Sequence, residues 1–142
     1  MTPFAALQSL CGLSNREAAS FLDMTESAVE KFRRGAKKAP PGALHELQNL
    51  WTVIDQAAVD AAEAIGREGL LDAAGGIEIG YPADDYEAEQ LGLPCVGAWR
   101  QMLARMIDEL MLINEGFDPA RLVLVPRGST LATAAAADIH RK

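Results

Sequence analysis

Thr25, Glu26, Ser27 and Lys31 carry hydrogen-bonding groups of the kind that read base edges in a duplex, and the cations Arg33, Arg34, Lys37 and Lys38 follow closely. Lys31 has the charge and reach for guanine O6/N7, and Glu26 can accept from cytosine N4. The four cations suit phosphate oxygens, contacts that orient a protein on a duplex without reading its sequence. The chain as a whole is acidic, with a net charge of −7 and a pI near 4.8. Residues 1–45 nevertheless hold six Lys/Arg and four Asp/Glu, a net +2, which leaves −9 for the remainder. A positive stripe on a negative protein calls for an anionic partner, with double-stranded DNA first in line. Glu30 is awkward beside phosphates, so an intrahelical pair with Arg33 or Arg34 is expected to hold it.

These side chains need a pair of short helices to present them. Ser14 with Glu17 three residues on is a capping box, which predicts a helix over 15–22. Ala18, Ala19 and Leu22 share one face of it. Asp23 and Met24 form a tight corner, with Asp23 at the position where glycine is usual, because Asp tolerates positive φ. Thr25 caps the next helix, and Gly35 ends it in a left-handed cap. Val29 and Phe32 should point back at Ala18, Ala19 and Leu22, where small residues permit a close crossing. The spacing therefore reads as a helix-turn-helix, with the N-terminal residues of the second helix facing base edges. The plainer alternative is an ordinary amphipathic helix pair whose basic end is simply solvated.

The rest of the chain follows from periodicity. Thr2 and Pro3 open a first helix running to about residue 10, apolar at Phe4, Leu7 and Leu10, and broken by Gly12. After the connector at 39–42, Leu44, Leu47, Leu50, Trp51, Ile54, Ala58, Ala61 and Ile65 keep helical spacing for about six turns. Residues 66–76 are broken by glycines. IEIGY at 77–81 alternates like a strand. Residues 82–93 are acidic and read as a capped, solvated helical turn rather than a carboxylate metal site. Residues 96–115 form a second strong helix, with Trp99, Met102, Leu103, Met106, Leu110 and Ile113 on one face and Met111 and Leu112 widening the apolar surface. RLVLV at 121–125 is a second strand, paired with the first or with its copy across a dimer. Residues 127–142 read as a loose tail or a frayed helix from Thr130.

The expected class is mainly α: a four- or five-helix helix-turn-helix head over 1–56, then a small α+β dimerisation domain over 57–126 with two short strands, the long helix being shared. Several functions find no support. There is no glycine-rich phosphate loop, no G-x-S-x-G and no nucleophile with an evident base, so no enzyme and no cofactor are expected. His45 and His140 have no partner at ligand spacing, so no metal is expected. Cys11 and Cys95 lack a CxxC and read as reduced, buried small hydrophobes. No stretch approaches the ~20 apolar residues of a membrane span, and the first ten residues lack a signal-peptide pattern, so a cytoplasmic chain is expected.

The first 50 or so residues, with FRRG and then AP, resemble the lambda-repressor/Cro type of helix-turn-helix. The plan as far as about residue 125 also resembles the second class of anti-CRISPR-associated regulators and related bacterial proteins. Ile77, Tyr81, Gly97, Trp99, Arg100 and Glu115-Gly116 carry that second resemblance. It implies a homodimeric autorepressor that binds an inverted repeat over its own promoter. In such a dimer the body would supply the interface, here assigned to Trp99, Met102, Met106, Leu110, Met111, Leu122, Val123 and Leu124. Regulators of that kind also act on RNA, on which the residues here are silent. A different class is suggested by the −9 body: an antitoxin-like protein whose acidic half binds a basic partner.

Overall fold

The computed structural model describes residues 1–127; the predicted tail lies almost wholly outside the described residues. The chain is mainly helical, with a two-stranded parallel sheet. Four helices come first: α1 (Pro3–Leu10), α2 (Asn15–Leu22), α3 (Glu26–Arg34) and α4 (Pro41–Arg67). Then follow β1 (Ile77–Tyr81), α5 (Asp85–Gln90), α6 (Val96–Ile113), a short 3₁₀ turn at Pro119–Arg121 and β2 (Leu122–Pro126).

Local chemistry explains where most elements start. The hydroxyl of Thr2 accepts the Ala5 N–H at 3.1 Å, and Pro3 is pre-set for the first turn of α1. The Ser14 hydroxyl accepts the Glu17 N–H at 3.1 Å while the Glu17 carboxylate accepts the Ser14 N–H at 2.9 Å, the full capping box. Asp84 caps α5 by accepting the Glu87 N–H at 2.9 Å, so the acidic stretch is a capped helical turn. At 27 residues α4 is about 40 Å long. It starts two residues earlier than the apolar spacing suggested, because Pro41 fits the first turn.

α6 runs beside α4 in the same direction. Arg105 donates to Asp55 of α4 at 2.7 Å and to Glu109 of its own helix at 2.8 Å. Farther along, Ile113 and Asn114 face Glu63, Gly66 and Arg67. A parallel strand pair needs a crossover, and α5 with α6 supplies it. Ile77 pairs with Leu122 and Tyr81 with Pro126. Ile77, Ile79, Tyr81 and Leu122 turn inward onto the core. Arg121 pins the glycine-broken loop before β1, donating to the carbonyls of Leu70, Leu71, Ala73 and Gly75.

One expectation changes here. Leu10 is exposed, and the inward face of α1 is Phe4, Ala5 and Gln8. A buried glutamine is tolerated because its amide donates to the Leu13 carbonyl at 3.1 Å and to Asn15 Oδ1 at 3.0 Å. Residue 56 lies inside α4, the helix expected to be shared, and one continuous hydrophobic core runs from Phe4 to Phe117.

Cys11 and Cys95 are free and buried, and Cys11 donates its thiol hydrogen to the Leu47 carbonyl at 3.3 Å. Burial pushes each thiol from 9.0 up to about 11, helped by the nearness of Cys95 to Cys11 and of Glu17 to Cys95. Between those values the unfolded chain has lost thiol protons that the folded chain keeps. Stability from this source is therefore complete below pH about 9 and is lost as pH rises towards about 11. Urea midpoints measured from pH 8 to 11 should fall over that window, and the fall should be shallower in the Cys11→Ala/Cys95→Ala double variant.

Candidate nucleic-acid interface

The surface in question is built from the corner outward. Asp23 adopts φ 54°, ψ 53°, a left-handed conformation that lets the chain reverse within three residues. The Met24 N–H then bonds the Ala19 carbonyl at 2.9 Å, closing the turn. The Thr25 hydroxyl accepts the Ala28 N–H at 3.1 Å and starts α3. Val29 and Phe32 are buried, as are Ala18, Ala19 and Leu22 of α2. Phe32 also meets Phe4 of α1 edge to face, with ring centroids 5.5 Å apart.

With that face inward, the opposite face of α3 is solvent-exposed. Thr25, Glu26, Ser27, Lys31, Arg34, Lys37 and Lys38 are all exposed and Arg33 is half-buried. All eight expected residues thus reach one stretch of surface. Thr25 has a second duty, since its hydroxyl oxygen is already committed to the helix cap. Among the described residues the ion pairs are those of Arg105 with Asp55, Asp108 and Glu109. The expected pair of Glu30 with Arg33 or Arg34 does not form. Both ends of such a pair would be exposed, where the Coulombic gain is small against the entropy of ordering two side chains.

Lys31, Arg33 and Arg34 lie in the last turn of α3, where cations are favoured by the helix dipole. Lys37 and Lys38 lie past the cap at Gly35 (φ 79°), so the dipole does not account for them. The Lys37 N–H reaches back to the Lys31 carbonyl at 3.3 Å and holds the basic loop against the helix.

Thr2 bears on this surface in a way that local sequence does not disclose. Besides capping α1, its hydroxyl lies 3.1 Å from the Phe32 carbonyl and 3.0 Å from that of Arg33. Those carbonyls belong to the unsatisfied end of α3, so one side chain both starts α1 and closes α3. The signal was only a Thr-Pro start, which speaks for α1 alone.

The expected interface residues of the body divide into two groups. Trp99, Met102, Met106 and Leu110 are at most 9% exposed, already covered by the chain's own core. They form the inward stripe of α6, so they offer no surface to a second copy. Met111, Val123 and Leu124 are 45–47% exposed and Leu122 is half-buried; Leu112 and Ile113 are exposed beside Met111 at the end of α6, while Leu124 lies with Val96, Trp99 and Leu103 near its start.

No family model matches the chain, and no curated protein matches it. Among the described residues no group of three His, Cys, Asp or Glu is placed to hold a metal ion, and no helix is long and apolar enough to cross a membrane.

Thr2→Val keeps the shape of the side chain and removes the hydroxyl. It should cost about 1–2 kcal/mol in urea denaturation and speed amide exchange in the last turn of α3 as well as the first turn of α1. An effect confined to α1 would contradict the double role.

Proposed function

We propose that the chain is a sequence-specific DNA-binding repressor of the helix-turn-helix kind, working as a homodimer on an inverted repeat. The observation that carries this reading is the cluster Lys31, Arg33, Arg34, Lys37 and Lys38. It stands at the surface without a carboxylate partner among the described residues, on a chain of net charge −7. Five unpaired cations within eight residues repel one another, a cost that a polyanion offsets. Ahead of them lie Glu26 and Ser27, exposed on the first turn of α3, where groove-reading side chains belong. Lys31 and Ser27 are assigned to bases, and Arg33, Arg34, Lys37 and Lys38 to phosphates.

Dimerisation follows from affinity. One head makes few contacts, and joining two raises binding through effective concentration. Strand β2, with Val123 and Leu124 exposed and its outer edge unpaired among the described residues, is the surface we assign to the second copy. Half-sites are then expected one helical turn apart, about 34–36 Å, or a multiple.

A second reading has one observation in its favour. A groove of about 580 Å³ between α2, α4 and α5 has Phe21, Leu50, Val53 and Leu93 along it and Glu46 and Glu89 at its rim. An acid-rimmed apolar groove suits a basic amphipathic segment, the partner of an antitoxin-like protein. A small basic protein encoded next door that loses binding to the Glu46→Lys/Glu89→Lys variant would favour it.

Salt titration tests the first reading. Four phosphates per subunit predict a slope of log K against log salt of roughly −7 for the dimer, and a slope near zero contradicts it. Arg34→Ala should weaken all duplexes alike, whereas Lys31→Ala should relax preference at particular base pairs by about 1–3 kcal/mol. Separately, Val123→Glu/Leu124→Glu should give a monomer by sedimentation and lower operator affinity by about 100-fold or more, with the head still folded. A variant that stays dimeric would move the interface elsewhere.

A further inference from the structure

We propose that the backbone contact between Gly12 and Gly97 fixes the angle between the head and the body, so that the dimer accepts one half-site separation as a rigid calliper does. The proposal rests on the DNA-binding reading and names two positioning residues for its specificity.

Gly12 lies in the α1–α2 corner at φ +74°. A Cβ built there would stand 2.2 Å from the Gly97 carbonyl oxygen and 2.6 Å from its carbonyl carbon. A Cβ built on Gly97, in the first turn of α6, would stand 2.0 Å from the Gly12 carbonyl oxygen. These are backbone atoms that no rotamer change can move aside. The two chain segments touch main chain to main chain, and only glycine fits at either place.

Both sides of the contact are themselves held. Gln8 bonds the Leu13 carbonyl and Asn15 across the corner, and the Cys11 thiol bonds the Leu47 carbonyl of α4. On the other side the Val96 N–H donates to Asp85 at 2.9 Å, fixing the start of α6. Arg105 ties the middle of α6 to Asp55 of α4.

Besides the shared core and the Arg105–Asp55 bond, the head is therefore joined to the body by main chain at two places. α4 passes from one into the other without a break, and the α1–α2 corner abuts α6. A single helical connection leaves bending about itself, and a second attachment off its axis removes that freedom. Gly12 stands two residues before the Ser14 cap of α2, and α2 leads through Asp23 to α3. A change of angle at this contact is thus carried to the groove-facing helix.

Two measurements test this, one of them without DNA. Spin labels on Glu30→Cys and Ala104→Cys, both at exposed positions, read the distance from α3 to α6 in the full chain diluted with unlabelled chain. The native contact should give one narrow distance peak, and Gly97→Ala should broaden or displace it. The second is affinity for a series of operators whose half-sites are moved by one or two base pairs, each step being about 3.4 Å and about 35° of rotation. The wild-type chain should lose about 100-fold or more for a two-base-pair change, falling towards the affinity of a single half-site. Gly97→Ala should flatten that series to within about tenfold while leaving single-half-site affinity unchanged.

A broad wild-type distance distribution, or wild-type affinity that is level across the series, overturns the proposal. If Gly97→Ala does not fold, a broad wild-type peak or a level wild-type series still overturns the proposal; if it folds and keeps the native peak, the contact is not what fixes the angle and the proposal falls. A narrow peak with no sequence-preferring DNA binding overturns the functional reading and the spacing role with it, while the mechanical coupling stands. That pattern differs from a failure of the coupling itself.

Discussion

Where the α1–α2 corner meets α6, Gly12 and Gly97 press main chain against main chain so closely that a Cβ on either would fall on the other's carbonyl. The arrangement of the rest follows from it. α6 is held beside α4 from its first turn, so the inward stripe Trp99, Met102, Met106 and Leu110 is covered by the chain itself. The exposed apolar residues of the second half lie at the far end of α6, on β2, and at Tyr86 and Leu91 on and just past α5. One hydrophobic core runs from Phe4 to Phe117, and no gap in packing stands at residue 56.

The charge division has its own physical logic. The cations at the end of α3 are partly explained by the helix dipole, but that argument stops at Gly35, and Lys37 and Lys38 lie beyond it. Meanwhile the body is strongly acidic and would be repelled by phosphates. In the proposed reading the attractive face is thus confined to one end of the molecule, and the remainder discourages non-specific association along a duplex.

Much of this was legible in the residues, and the division between legible and hidden follows sequence separation. The Ser14–Glu17 box, the Asp23 corner, the Gly35 cap and the β1 boundaries are set within a few residues, and the pattern predicts each of them. The eight residues expected on the basic surface do come together there, because Val29 and Phe32 leave α3 only one way to face. Hidden were the consequences of distant contact. A hydroxyl at Thr2 closing α3 thirty residues away, Arg121 collecting the carbonyls of a loop some fifty residues earlier, and the parallel pairing of β1 with β2 depend on the crossover and packing of whole helices. Assigning Trp99 and its stripe to a second copy failed for the same reason: periodicity shows that a face is apolar and not which element covers it.

The most direct measurement of the central claim is selection from a randomised double-stranded DNA library by the full-length chain at near-physiological salt. A two-fold-symmetric motif with half-sites about one helical turn apart, or a multiple, should be enriched, and that enrichment should be lost when Lys31, Arg33 and Arg34 are replaced together by alanine. Recovery of unenriched library, or of a motif that survives the triple replacement, would contradict the claim.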